Sequence, residues 1–334
     1  MRLSEFELIR KYFNTANLAF EKNEVLLGIG DDAALLNLTK EQELAISTDV
    51  LVESVHFPAG AEPAKIASRA LAVNLSDLAA MGAKPLCFTL GLVLADANES
   101  WINSFSKGLA KTARQFNIAL VGGDVSKGPT TIAIQVQGLT RPGKALRRDG
   151  ARLGDQVYVT GDLGDGAIAL ASLGIPTHLG DTFLFNENQP SSACSQYLEK
   201  AYYEPEPRIE FARLCAEFIN SAIDVSDGLL GDLGHICKSS GMGARINIED
   251  IPFSDSARCC VSSENLLRAA LYGGDDYELC VTVAKDKREQ FLLKARESRT
   301  KITCIGEIVE GNTISFLNTA GAEIPLEQSA YEHF

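Results

Sequence analysis

The stretch Leu86-Cys-Phe-Thr-Leu-Gly-Leu-Val-Leu94, followed by Asn98-Glu-Ser-Trp-Ile-Asn-Ser-Phe105, Ile118-Ala-Leu-Val121 and Thr131-Ile-Ala-Ile-Gln-Val-Gln137, decides the fold. The first segment is a continuous apolar run behind Pro85, short enough for a buried strand. Asn98 is placed to cap a helix over Glu99 to Phe116, and the last two segments read as further strands. Strand, helix, strand and strand in this order give a mixed α/β unit.

Working towards the N-terminus, Pro63 to Met81 carries Ile66, Ala70, Leu71, Leu78 and Ala79 at spacings of three and four, a second helix that Gly82 is placed to end. Val25 to Ile29, Ala33 to Leu38 and Leu44 to Thr48 read as short strands between polar turns, and Ser4 with Glu7 forms a capping box ahead of an opening helix. Towards the C-terminus, Arg141 to Gly150 concentrates turn formers and charge, which places a domain boundary there: residues 1–145 form one domain and 150–334 another. The second half alternates again, with strands 156–160, 222–225, 244–248, 277–283, 303–309 and 313–316 and helices 167–173, 208–219, 228–238, 263–271 and 285–296. Residues 181–195 read as a polar surface excursion.

The 334 residues are 46% hydrophobic and 22% charged, too apolar for a disordered chain. The net charge of −13 repels a nucleic-acid backbone, so a phosphate ligand here needs cations beside it. No run approaches the length of a membrane span and Met1-Arg-Leu-Ser-Glu-Phe-Glu lacks the apolar core of a signal peptide, so a cytoplasmic location is expected. The eight cysteines form no C-x-x-C pair and are expected to be reduced and structural.

The chemistry-bearing pattern is where aspartates fall. Gly30-Asp31-Asp32, Ser47-Thr48-Asp49, Gly122-Gly123-Asp124 and Asp224-Val225-Ser226-Asp227 each follow an apolar run, and Ser76-Asp77 lies in an otherwise apolar helix. Carboxylates at strand ends share one edge of a sheet, and converging carboxylates repel unless hard cations lie between them; Mg²⁺ with phosphate oxygens suits such a cluster. On the residues alone a turn or capping role for Asp31, Asp32, Asp124 and Asp227 stays open. Asp77 is different, because an acid in Leu71-Ala-Val-Asn-Leu-Ser-Asp-Leu-Ala-Ala80 needs a partner. Gly138-Leu-Thr-Arg-Pro-Gly143-Lys144 imitates a P-loop, but Ala145 stands where a hydroxyl is required. Gly161-Asp-Leu-Gly164-Asp-Gly166 offers backbone amides to an anion, though a plain turn reads better. His56 reads equally as a loop histidine packed beside Phe57.

Taken together, Gly28-Ile-Gly-Asp-Asp-Ala33, Ala45-Ile-Ser-Thr-Asp49, Asn74-Leu-Ser-Asp-Leu-Ala-Ala-Met-Gly-Ala83, Gly122-Gly-Asp124, Asp224-Val-Ser-Asp-Gly228 and Gly273-Gly-Asp-Asp-Tyr-Glu-Leu279 resemble the thiamine-monophosphate kinase family of the aminoimidazole-ribonucleotide-synthetase-like (PurM-like) superfamily. The resemblance spans nearly the whole chain. It implies an α/β fold with mixed sheets in two domains, and a homodimer whose N-terminal sheets close an intersubunit barrel with ATP nearby. It implies that Asp32, Ser47, Thr48, Asp49, Asp77, Asp124, Asp224 and Asp227 hold several Mg²⁺ ions, that Gly123, Asp124, Arg148 and Ser226 contact ATP, and that His56, Asp275 and Gln328 contact the substrate. The chain departs from the family at two of these: Asp275 replaces Glu and Gln328 replaces an aromatic Trp.

The implied reaction moves the γ-phosphoryl of ATP to thiamine monophosphate. The acceptor phosphate, with a second pKa of roughly 6, is already largely ionised at neutral pH, so no residue is assigned as general base. Two alternatives remain on the sequence: a related ATP-dependent enzyme with another small acceptor, and a Mg-nucleotide-binding module without turnover.

Overall fold

A computed structural model describes residues 4–175, 179, 185–186, 191–318 and 320–324. The chain divides into two compact units, Met1–Leu78 with Ala83–Ala145, and Ala79–Gly82 with Leu146–Phe334.

In the first unit the chain order is α1 (Glu5–Leu8), β1 (Val25–Leu27), β2 (Leu35–Leu36), β3 (Glu43–Val52), α2 (beginning at Pro63), β4 (Lys84–Leu94), α3 (Glu99–Gln115), β5 (Ala119–Lys127) and β6 (Thr131–Thr140). The four long strands form one sheet in the order β3-β6-β4-β5, antiparallel except for the parallel pair β4 and β5. The capping box forms as the sequence predicts: the Ser4 amide donates to Glu7 Oε2 at 2.7 Å and the Glu7 amide donates to Ser4 Oγ. The helix it starts is short, however, and passes into a π-turn over Ile9–Phe13. Asn98 Oδ1 accepts from the Ser100 and Trp101 amides and starts α3. At Gly108 of α3 an added Cβ would lie 2.1 Å from the Ala64 carbonyl oxygen of α2, so these helices meet backbone to backbone and only glycine fits. Leu86, Cys87 and Val121 pack with Val25, Leu36, Leu44 and Leu139 under the sheet.

Two boundaries differ from the sequence reading with consequences for function. Strand β5 does not stop at Val121 but runs to Lys127, so Gly122, Gly123 and Asp124 lie within a strand and not in a turn after one. Gly123 sits at φ +152°, where a Cβ would meet the Leu90 carbonyl oxygen at 2.0 Å, and a bulge at Phe88/Thr89 of β4 takes up the irregular register. The glycines look like turn punctuation but serve close strand approach. Likewise Ser47, Thr48 and Asp49 fall inside β3, not at its end.

The second unit comprises β7 (Gln156–Thr160), α4 (Asp165–Ser172), α5 (Ser192–Tyr203), α6 (Ile209–Cys215), β8 (Ile219–Val225), α7 (Leu229–Ser240), β9 (Gly243–Asn247), α8 (Asp255–Cys260), α9 (Ser263–Arg268), β10 (Glu278–Val283), α10 (Arg288–Glu297), β11 (Ile302–Val309) and β12 (Ile314–Leu317). Six strands order as β12-β9-β11-β7-β10-β8, antiparallel except for the parallel pair β12 and β9. Tyr158, Phe211, Val281 and Phe291 form the centre of a core that also takes in Ala79, Ala80 and Leu146. Helix α6 ends four residues early because Ile219 starts β8. Helix α5 begins behind a Ser191 cap, inside the polar stretch 181–195 that reads as a surface excursion; of that stretch, 181–184 and 187–190 lie outside the described residues. Among the described residues no helix is long and apolar enough to cross a membrane.

Candidate active site

In the first unit the acids gather at two places. Asp31 and Asp32, in the turn between β1 and β2, and Gly122, Gly123 and Asp124 of β5 line one cavity of about 530 Å³, completed partly by Arg10 and Phe13. Asp32 and Asp124 are exposed on that wall, and Ser126 Oγ donates to Asp124 Oδ2 at 2.5 Å. The strand therefore fixes Asp124 more tightly than a loop would.

The second place is the seam between β3 and α2. Ser47 Oγ donates to Asp77 Oδ2 at 2.5 Å, which supplies the partner that an acid in so apolar a helix requires. Two residues along, the Asp49 amide donates to Asn74 Oδ1 at 3.0 Å, and Asn74 Nδ2 donates to the Ala70 carbonyl at 2.9 Å. Asn74 is fully buried, so it is a joint between strand and helix, a role the sequence reading did not give it. Its signal was present: an amide one helical turn before Asp77 lies on the same face.

His56 sits in the tight turn after β3, where Phe57 is buried and the Ser54 amide donates to the Phe57 carbonyl at 2.7 Å. His56 Nδ1 accepts from the Val52 amide at 3.0 Å, so in the neutral ring Nε2 carries the proton.

In the second unit, Asp224 is the next-to-last residue of β8, opposite Leu279 of β10, and is 5% exposed. The chain then turns through Ser226 and Asp227 into α7. The amides of both residues donate to Asp232 Oδ2 at 3.0 Å, so this carboxylate ties down the turn from the first coil of the helix. Burial pushes the Asp232 carboxyl up to about 7; the two amides and, more weakly, the neighbouring Arg148 guanidinium oppose that rise. The same turn receives the loop before β10: the Asp275 amide donates to the Ser226 carbonyl and the Tyr277 amide to the Val225 carbonyl, each at 2.8 Å. Tyr277 Oη donates to Asp275 Oδ1 at 3.0 Å. Asp224, Ser226, Asp227 and Asp275 thus share one corner, with Arg148 close to Asp232. Gln328 lies outside the described residues.

Both glycine-rich look-alikes resolve. Gly138 lies inside β6, and no helix follows Lys144 in the manner of a P-loop. In the other, the amides of Gly164 and Gly166 donate to Asp276 Oδ2 and Oδ1 at 2.7 and 3.1 Å, so the group held there is the chain's own side chain. Burial lifts that carboxyl well above its ordinary value despite the two amides. Asp232, Asp276 and Asp165, which accepts from Ser254 Oγ at 2.5 Å, all escaped the sequence reading. An acid in the first turn of α7 or α4 was the available sign, since such positions favour carboxylates.

Comparison with known proteins agrees along the full length. Residues 30–140 match the N-terminal domain, and residues 152–317 the C-terminal domain, of AIR synthase related proteins. The thiamine-monophosphate kinase of Escherichia coli strain K12 is 42% identical over 337 residues, covering 100% of this chain and 99% of the relative. A crystal structure of the thiamine-monophosphate kinase from Stenotrophomonas maltophilia K279a superimposes with a TM-score of 0.83 at 39% identity, covering 95% of this chain and 97% of that one. A structure described as AaThiL complexed with AMPPCP and TMP has a TM-score of 0.74 at 30% identity, covering 100% and 99% of the two chains.

Proposed function

Because the chain belongs to the thiamine-monophosphate kinase family of AIR synthase related proteins, we propose that it transfers the γ-phosphoryl group of ATP to the phosphate of thiamine monophosphate, giving thiamine diphosphate and ADP. The observation that carries this reading is the end-to-end match to relatives bearing that name, one of them in complex with AMPPCP and TMP. Incubating the purified chain with Mg-ATP and a panel of phosphorylated acceptors, then separating the products, tests it. Thiamine diphosphate and ADP should appear together; product from another acceptor alone identifies a different enzyme, and ATP binding without ADP identifies a binding module.

The donor set fits a hard cation. Asp32, Ser47, Thr48, Asp49, Asp77, Asp124, Asp224 and Asp227 offer oxygen only, with no histidine or cysteine among them, as Mg²⁺ prefers. Held by these side chains, Mg²⁺ would supply positive charge that offsets the repulsion between the two phosphate groups. The residues do the rest. Gly123 and Asp124 on the cavity wall, with Arg148 and Ser226, bind ATP. Asp232 holds the Ser226 and Asp227 amides and so fixes the turn that presents them. His56 meets the substrate through Nε2–H, because Nδ1 takes the Val52 amide. Asp275, oriented by Tyr277 Oη, contacts the substrate, as does Gln328. No proton needs to be abstracted, because the acceptor phosphate arrives ionised.

The first domain, 1–145, binds ATP and Mg²⁺ and dimerises, and the second, 150–334, completes the nucleotide and substrate site. Support for a homodimer with a barrel of joined sheets comes from β3, a ten-residue edge strand on which Ile46 and Val50 are 57% and 47% exposed. The reaction takes place in the cytoplasm, where ATP is supplied. Light scattering of the wild-type chain and of Ile46→Asp checks the dimer: a monomeric wild type overturns it.

A further inference from the structure

Asp276 has no part in the proposed reaction, yet it sits between Asp275 and Tyr277, the residue assigned to the substrate and the residue that orients it. Both neighbours adopt a backbone that side chains avoid: Asp275 lies at φ +64° and Tyr277 at φ +52°. An aspartate tolerates the left-handed region, but a tyrosine there is an outlier that surrounding contacts must hold. The contacts come from two sides. At the end of β8 and just beyond it, the Val225 carbonyl accepts from the Tyr277 amide and the Ser226 carbonyl from the Asp275 amide, each at 2.8 Å. At the start of α4, the Gly164 and Gly166 amides donate to the two side-chain oxygens of Asp276. Gly164 is the N-cap of α4 and has no side chain to cap it, so Asp276 supplies that cap from more than a hundred residues along the chain. The helix start also presses on the backbone it holds: a Cβ on Gly166 would lie 2.2 Å from the Asp275 carbonyl oxygen. Opposite, a Cβ on Gly274 would lie 2.2 Å from the Ser226 carbonyl oxygen. Residues 274–277 are therefore gripped between α4 and the turn that leads from β8 into α7.

We propose that Asp276 is a positioning residue for the phosphoryl acceptor: by pinning the loop to α4 it holds Asp275 and Tyr277 in their left-handed backbone and so aims the Asp275 side chain at thiamine monophosphate. The inference rests on the reading that Asp275 contacts that substrate. With the pin removed, Asp275 and Tyr277 relax towards ordinary φ values, their peptide planes turn, and the bond from Tyr277 Oη to Asp275 Oδ1 is lost. The nucleotide side is secured separately, because Asp232 holds the Ser226 and Asp227 amides whether or not the loop is pinned. The damage is therefore confined to the acceptor.

The test compares initial rates of the full chain and its variants at varied thiamine monophosphate and at varied Mg-ATP. Asp276→Ala should raise KM for thiamine monophosphate about tenfold and leave KM for ATP within about twofold. In an Asp275→Ala background, adding Asp276→Ala should change the acceptor KM by less than about twofold, because the residue it aims is already gone. Amide hydrogen exchange, run without substrate, should be about tenfold faster over 273–279 in Asp276→Ala than in the wild type. Should Asp276→Ala fail to fold, Asp276→Asn keeps the size and one accepting oxygen and carries the same comparisons with smaller effects. An unchanged acceptor KM, equal rises in both KM values, full additivity with Asp275→Ala, or unchanged exchange over 273–279 overturns the proposal. A wild type inert towards thiamine monophosphate overturns instead the function on which the proposal rests, and the exchange comparison still decides whether Asp276 pins the loop.

Discussion

The two units use the same side chain in opposite ways. In the first, Asp32 and Asp124 stand exposed on the wall of a cavity, held in place by a strand and a turn. In the second, Asp165, Asp232 and Asp276 turn inward and accept from a hydroxyl or from backbone amides of neighbouring loops. An outward acid stays open to a ligand; an inward acid gives up its hydration to fix a loop, and its raised pKa records that cost. The difference teaches that counting aspartates near strand ends does not separate those that bind from those that build.

The largest expected effect separates the two classes. Asp124→Asn should lower kcat/KM by on the order of a thousandfold, about 4 kcal/mol, while leaving Tm within about 2 °C. Product analysis beside a thermal scan reads both quantities, and a large fall in Tm with activity retained would move Asp124 into the building class.

Asp165 supplies the converse. Burial is the main cause that lifts its carboxyl from the ordinary 3.8 to about 6, and it is 6% exposed. A carboxyl that holds its proton more tightly in the folded chain stabilises fully below pH 3.8 and loses that contribution as pH rises through 6. Raising the pH from 4 to 8 should therefore cost the wild type about 3 kcal/mol at this site, and Asp165→Asn should not show that loss. Denaturant midpoints of both proteins at several pH values test the difference, and parallel curves would refute it.

Asp232 bridges the two classes, because it builds the turn that carries Ser226 and Asp227, the residues proposed above to meet ATP and Mg²⁺. Asp232→Ala should cost about 1–3 kcal/mol of stability and raise KM for ATP more than it lowers kcat. Asp232→Asn keeps an oxygen acceptor for both amides and should recover most of the KM. Equal behaviour of the two variants would mean that the charge, not the hydrogen bonds, matters. The smallest effect is expected at Ser47→Ala, which removes one donor to Asp77: a fall in activity of a few-fold, with a stability loss of about 1 kcal/mol.

The sequence made some of this legible and hid the rest for physical reasons. The helices at Pro63 and Glu99 were readable because periodic apolar faces and local caps are properties of short windows. The partner of Asp77 was foreseeable as a need but not as Ser47, because the strand that brings them together is set by tertiary packing. Gly122 and Gly123 misled, since a glycine pair suits a turn and a tightly approached strand equally well, and only the position of Leu90 decides. Asp276 was invisible as an amide acceptor because its donors at Gly164 and Gly166 lie over a hundred residues away.

That last contact bears on any attempt to redesign the molecule. A glycine-rich turn leading into α4 is the sort of place where a protein engineer would graft a sulfate or nucleotide sensor, yet here the seat is taken by the chain's own side chain. A newcomer must first evict a tenant that is tethered to its seat and pays no association cost, and clearing it by mutation would also unlatch the segment it secures.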